Sequence, residues 1–373
     1  MTLLLDITDL HDEPLNQGLE LLHKAMAEGP DSAFNPHENP FLTELVELFH
    51  QRGIYQLDAM WGELKDILHG KHPFDPLAPH GRLTPSELSL LESLLRSGNP
   101  DSYSPDEWML LVDYWLERYL PHDFAISQGY WLAARAVFMG RMQAVLSKPP
   151  EQKAMELAIE MAEKQPMTAS AAKIIEIGKA HCTESIVSLS DSVKHRVKKS
   201  ILQHIEEQSL SDKPFKSNLE GLESRLFDEF GAFNKDWRRI AVTETGEISN
   251  QAYVAGQPPG TKLKRIEMYK GACAFCSKIN GLIVTVVSPS KRFKDPWKEV
   301  WAGKTNVGRS SSPMKKVGDK LVPRLSEEMW WPAAGLQHPN CRGSWMPAGV
   351  DAKPGDDQVF HDYLNTLWQT AEA

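Results

Sequence analysis

A mainly α chain of more than one domain, closed by a C-terminal α+β module, is what this sequence predicts, and three observations carry the prediction. Helix-capping signals followed by apolar residues three and four apart recur in the first half, as at Thr84-Pro85-Ser86-Glu87 and Ser104-Pro105-Asp106-Glu107. Past Gly256 the texture changes to short β-prone runs between Gly, Pro and Ser clusters, such as Leu282-Ile283-Val284-Thr285-Val286-Val287. The length of 373 residues, with 41% hydrophobic composition, exceeds what a single core serves, so two or three packed units are expected.

Residues 1–150 read as an acidic, all-helical N-terminal module. Ser or Thr before Pro, with Glu three positions on, satisfies the orphan amides of a first turn. Leu88, Leu91 and Leu95, then Trp108, Leu111, Trp115 and Tyr119, continue those helices, and Phe41 to Leu68 repeats the pattern. Lys148-Pro149-Pro150 ends the module, and Gln165-Pro166 breaks a short helix that begins near Glu151. Residues 151–255 form a long-helix region. One helix is expected from about Ser170 to about Gln208, on an apolar line through Ile186, Leu189, Val193, Val197 and Ile201 that leaves Lys194, Arg196, Lys198 and Lys199 outside. A second amphipathic helix, through Leu219, Leu222, Leu226 and Phe230, precedes Trp237-Arg238-Arg239-Ile240-Ala241. Residues 256–348 form the basic module, in which Ala302 to Pro313, rich in Gly and Ser, reads as a mobile loop. Residues 349–373 are a polar tail with a short amphipathic helix carrying Phe360, Tyr363, Leu364, Leu367 and Trp368.

Several function classes are excluded at this level. Met1 to Leu10 carries Asp6 and Asp9 and no basic residue, so no secretory signal is expected. No apolar run approaches the roughly 20 residues of a membrane span, which points to synthesis in the cytoplasm and no membrane partner. Four cysteines in so long a chain do not make a disulfide scaffold. Cys182, alone in a helical pattern, reads as a buried, inert thiol.

The other three cysteines carry the chemistry. Cys273-Ala274-Phe275-Cys276 aims two sulfurs from one tight turn, and His338-Pro339-Asn340-Cys341 repeats the offset with an imidazole and a third thiol. Cys273, Cys276, His338 and Cys341 therefore form a Cys3His set suited to tetrahedral zinc, since soft thiolates disfavour magnesium and calcium. The pairs are 61 residues apart; closing such a loop costs roughly 3 to 4 kcal/mol, against about 10 kcal/mol or more from structural zinc. A structural ion is the leading reading, beside unmetallated thiols in a knuckle-shaped turn. A catalytic metal needs an open position that four protein ligands do not leave. The fold class is thus mainly α with a zinc-stabilised C-terminal α+β module.

Charge is divided unevenly. Residues 1–150 hold 22 acidic and 10 basic side chains, whereas Lys262 to Arg324 holds 15 Lys and Arg against Glu267, Asp295, Glu299 and Asp319. Within this block Lys262, Lys264, Arg265, Lys291, Arg292, Lys294, Lys315 and Lys316 are candidate contacts to nucleic-acid phosphates; a solvated basic face or a protein partner explains the same charge.

Sharper catalytic motifs fail. The zinc deaminase pattern lacks its His-x-Glu. Gly303-Lys304-Thr305 is not a phosphate loop, because Lys298 stands where the first glycine belongs. Glu244, in Thr243-Glu244-Thr245, reads as a helical polar contact rather than a catalytic carboxylate. No enzymatic activity is expected.

One ordered set of residues resembles a known family. Arg239-Ile240-Ala241-Val242-Thr243-Glu244-Thr245, then Asn250 and Ala252, then Cys273-x-x-Cys276 with Gly281, then His338-Pro339-Asn340-Cys341-Arg342 are similar to the Mu F-like phage head-morphogenesis family. The resemblance spans about residues 170 to 347. Val242 stands where that family usually has Arg, and Gly343 where it usually has a final Cys, so His338 is required if the site is to reach four ligands. The resemblance implies a minor head (minor capsid) protein of a tailed bacteriophage, associated with the portal vertex or capsid interior and acting in head morphogenesis. The partners it implies are the portal protein, the major capsid protein and packaged double-stranded DNA. It places the chain in the virion head, and in the host cytoplasm during assembly. Two alternatives remain: a toxin- or nuclease-type phage effector enzyme, with residues 1–150 as the added module, and a zinc-dependent nucleic-acid-binding protein.

Overall fold

A computed structural model of the chain describes residues 40–72, 83–146, 169–209, 219–267 and 271–348. The tail helix at Phe360 to Trp368, the short helix near Glu151 and the N-terminal segment lie outside these residues. Of the described residues 63% are helical and about 10% lie in strands, so the mainly α framework is as expected and the sheet is a local device. Among the described residues six α-helices come first: α1 (Pro40–Leu68), α2 (Pro85–Ser97), α3 (Pro105–Tyr119), α4 (His122–Leu146), α5 (Ala169–Ser209) and α6 (Leu219–Ala255). The C-terminal part then runs β1 (Lys262–Ile266), α7 (Ala274–Ile279), β2 (Ile283–Val286), β3 (Glu299–Val300), β4 (Met314–Val317), β5 (Lys320–Pro323) and β6 (Ser344–Pro347).

The helix starts follow the capping chemistry. Thr84 and Ser104 each accept a bond from the amide of the Glu three positions on, and Glu87 and Glu107 reach back to the capping residue's own amide. Gly98, in the left-handed region at φ 58°, closes α2. On α5 the line Ile186, Leu189, Val193, Val197 and Ile201 is buried together with Cys182. Lys194 and Lys198 point away from it and share Asp113 at 2.7 Å.

The described residues divide into two units, one of them formed by those within Leu48–Gly129 and Ala180–Ile240 and the other by the rest. The expected boundaries near 150 and 255 do not coincide with these. A 41-residue helix such as α5 is about 60 Å long at about 1.5 Å per residue, roughly twice a small domain's diameter. Its two ends therefore serve different cores, and α1, α4 and α6 are divided in the same way.

The first unit has an aromatic core. Trp237 stacks on Phe49 at 5.4 Å and donates to its carbonyl, and Trp115 donates to the Met60 carbonyl. Tyr114, Trp115 and Trp108 are buried, so these aromatics fill that core.

In the second unit β2, β1 and β6 form an antiparallel sheet, with Lys262 opposite Thr285 and Arg265 opposite Trp345, and β3 adds in parallel to the edge of β2. Leu263, Val284, Val286, Val300, Trp345 and Tyr253 build its core. Helix α4 approaches α6 closely enough that a Cβ on Gly140 would lie 2.1 Å from the Ser249 carbonyl oxygen. Beside this crossing Gln143 donates to the Trp345 carbonyl.

The Gly/Ser-rich stretch 302–313, expected to be mobile, is tied down by side chains that its composition hides. Lys304 is 1% exposed and donates to the carbonyls of Pro296 and Glu299, with the Trp301 ring 4.9 Å away. Asn306 donates to the Trp331 carbonyl and accepts from the Trp331 amide, and Arg309 lies 3.3 Å over the Trp331 ring. Among the described residues no helix is long and apolar enough to cross a membrane.

Candidate metal centre

The four residues singled out by spacing come together on two short segments. Cys273 caps α7, its Sγ accepting from the Cys276 amide, so both thiols of the pair emerge within one turn on the same side. In the second segment the Cys341 amide donates to the His338 carbonyl. That tight turn needs a left-handed residue, and Asn340 supplies it at φ 61°, a conformation asparagine tolerates better than most side chains.

Cys273 Sγ lies 3.4 Å and Cys276 Sγ 3.3 Å from His338 Nε2, and Cys276 Sγ lies 3.9 Å from Cys341 Sγ. His338 Nδ1 faces the Pro339 carbonyl at 2.8 Å. A carbonyl only accepts, so Nδ1 carries the proton and Nε2 turns its lone pair to the sulfurs, as a metal-ligating imidazole does. The ring stacks on Trp330 at 5.5 Å, which fixes its plane. The thiols are not disulfide-bonded. Cys273, Cys276, His338 and Cys341 thus form a cluster able to hold a metal ion.

A fifth donor, which spacing did not reveal, stands beside them. Glu267, just past β1, has a fully buried carboxylate whose oxygens lie 3.6 and 3.9 Å from Cys341 Sγ. The donors fall into two sets that share Cys276. One is Cys273, Cys276 and His338, and the other is Glu267, Cys276 and Cys341, each with its donor atoms within 4.8 Å of one another. Arg265 Nε donates to Glu267 Oε1 at 2.7 Å, with both side chains fully buried, and Arg265 also donates to the Gly335 carbonyl. Alternation along a strand puts residues 265 and 267 on one face; an Arg two before a Glu, leading into Cys-x-x-Cys, was the signal available.

The electrostatics separate the thiols. Burial pushes the Cys341 thiol well up, and its contact with Cys276 and the Glu267 carboxylate adds to this. Burial also raises Cys273, but the Cys276 and Phe275 amides and the nearby His338 outweigh it and leave that thiol below its ordinary value. Burial lowers His338, yet the Pro339 carbonyl and the neighbouring thiols leave it raised.

Helix α6 holds the second ligand segment. Thr243 Oγ1 accepts from the Asn340 amide at 2.8 Å, Asn250 donates to the Gly343 carbonyl at 2.8 Å, and Glu247 accepts from the Leu336 amide. Glu244 is a buried helical side chain, consistent with a polar contact.

The basic candidates scatter. Lys262, Lys291, Arg292 and Lys316 are exposed, Lys316 with Asp319 3.9 Å away. Lys291 pairs with Glu299, Lys315 pairs with Glu328, and Lys294 donates to the Lys291 carbonyl. Arg265 does not reach solvent and Lys264 is 8% exposed. The strand that puts Arg265 beside Glu267 withdraws it from any phosphate, and Lys264 lies within the sheet between Ile283 and Met346. Set against protein-family models, curated proteins and solved structures, the chain gives no match.

Proposed function

We propose that this chain is a minor head protein of a tailed phage, a structural rather than catalytic component at the portal vertex or capsid interior, whose C-terminal unit is organised by one zinc ion. The observation that carries the reading is the convergence of the residues behind the family resemblance. Thr243 and Asn250 on α6 hold the backbone of the His338–Gly343 segment, and that segment meets Cys276. Residues spread over a hundred positions thus act as one physical unit.

The donor chemistry supports zinc. Bonds of about 2.3 Å to sulfur and about 2.0–2.1 Å to nitrogen, in a tetrahedron, set S···N edges near ~3.6 Å and S···S edges near ~3.8 Å. Three of the six edges are close to these values, at 3.3, 3.4 and 3.9 Å; Cys341 falls in a different donor set from Cys273 and His338, sharing only Cys276 with them, so an ion would draw the two segments closer. Cys273, Cys276, Cys341 and His338 would hold the ion, which contributes a cross-link between α7 and the segment anchored on α6.

Lys262, Arg292 and Lys316 offer a sequence-independent contact to packaged DNA. The test of the whole reading is co-expression of the full chain with candidate portal and major capsid proteins from the same genome. Stable co-purification, and presence of the chain in purified heads, is the expected result; heads that assemble at normal yield without it, and a chain that binds neither protein, contradict it.

A further inference from the structure

The absent side chain at position 343 leaves a space that something else fills. A Cβ built on Gly343 would lie 2.1 Å from Glu267 Oε1 and 2.3 Å from its carboxyl carbon, so the carboxylate occupies the volume a residue-343 side chain would need. It stands there beside Cys341 and in one donor set with Cys276 and Cys341. Glu267 Oε1 is taken by Arg265, while Oε2 faces Cys341 Sγ at 3.6 Å. The backbone of Glu267 is fixed as well, its amide donating to Asn280 Oδ1.

We propose that Glu267 is a ligand of the metal centre that shares the fourth coordination position with His338, so that the three thiolates are obligatory and the two remaining donors are exchangeable. This rests on the metal centre proposed above. His338 is partly exposed and approaches from the Cys273 side; Glu267 is buried and approaches from the Cys341 side. An ion bound to Cys276 lies within reach of both. Tetrahedral coordination accommodates only one of them beside three sulfurs. Three thiolates already give a divalent ion a net charge of −1, so adding a buried carboxylate requires a cation. Arg265, fully buried and 2.7 Å from Glu267, is that cation and acts as a positioning residue.

Cobalt(II) in place of zinc, bound to the full-length protein, reads the coordination directly. Wild type should bind one cobalt with thiolate charge-transfer absorption. The His338→Ala variant should keep the metal, with a loss of affinity of about tenfold, and added imidazole should leave its spectrum unchanged, because Glu267 closes the position. Combining His338→Ala with Glu267→Gln should lower affinity by about a further hundredfold and let imidazole bind and shift the cobalt bands. Imidazole binding in His338→Ala alone would overturn the proposal, and so would a double variant no weaker than His338→Ala. If Glu267→Gln prevents folding, the imidazole experiment on His338→Ala still decides. A wild-type protein that takes up no cobalt would overturn the metal centre itself instead.

Discussion

Replacing Gly140 by Ala places a methyl group where α4 and α6 cross. The new Cβ would lie 2.1 Å from the Ser249 carbonyl oxygen and 2.9 Å from the Ala252 Cβ. Carbon–oxygen contacts settle near ~3.3 Å, so the helices must part by about 1 Å, and the obstructing atom is backbone that no rotamer can move. Overpacking costs about 1–3 kcal/mol, here at the upper end, and the better helix propensity of Ala returns about 1 kcal/mol. The net loss is about 2 kcal/mol, which lowers the urea midpoint by about 1 M for a slope of about 2 kcal/mol/M. Gly231 on α6 has nothing within 4 Å of its would-be Cβ, so Gly231→Ala keeps the propensity gain and should raise stability by about 0.5–1 kcal/mol. Urea unfolding followed by far-UV circular dichroism reads both. Asn250, which tethers Gly343, lies between the two residues that Gly140 touches, so Gly140→Ala should also weaken metal binding. Equal stability for the two variants would refute the close crossing.

Asn250→Ala removes the only side-chain tether seen on the Gly343 carbonyl among the described residues; it should cost about 1–3 kcal/mol and loosen the metal, and a competition titration with a chromogenic chelator showing unchanged affinity would count against that tether. Burial holds the Lys304 amine down to about 7, against 10.5 for an ordinary lysine. Between those values the unfolded chain binds more protons than the folded one, so stability should rise from about pH 7 toward about pH 10; Lys304→Met should flatten that rise, and identical pH slopes for the two proteins would contradict the burial. Cys182 is buried on α5, away from the other thiols in sequence and on a different segment, so Cys182→Ala should leave the metal content measured by atomic emission unchanged. If Lys262, Arg292 and Lys316 touch DNA, the affinity of the full chain for duplex should fall steeply with salt in mobility-shift titrations, and salt-insensitive binding would assign that face to protein.

The elements that were legible in the sequence are those governed by local chemistry. The capping boxes at Thr84 and Ser104 and the line from Ile186 to Ile201 depend on neighbours three and four residues away, and both appear as read. The spacing of Cys273, Cys276, His338 and Cys341 likewise sufficed to bring those residues together. Non-local features were hidden. The unit boundaries fall inside helices, where composition does not change. The anchoring of 302–313 rests on Lys304 entering a pocket of tryptophans, although lysine in a Gly/Ser-rich stretch ordinarily faces water. Glu267 read as one acidic residue in a basic block. Its place beside Cys341 follows from the missing Cβ of Gly343 and from Arg265 on the same strand face, and neither relation is visible until the strands are paired.

Metal analysis of tag-free protein, combined with hydrogen exchange before and after chelation, decides whether one metal ion organises the C-terminal unit. About one zinc per chain is expected, and on chelation a loss of protection in β1 and β6 while the Ile186 to Ile201 face of α5 stays protected. Protein with under about 0.2 equivalents of any metal, or strands whose exchange is unmoved by the chelator, would contradict it.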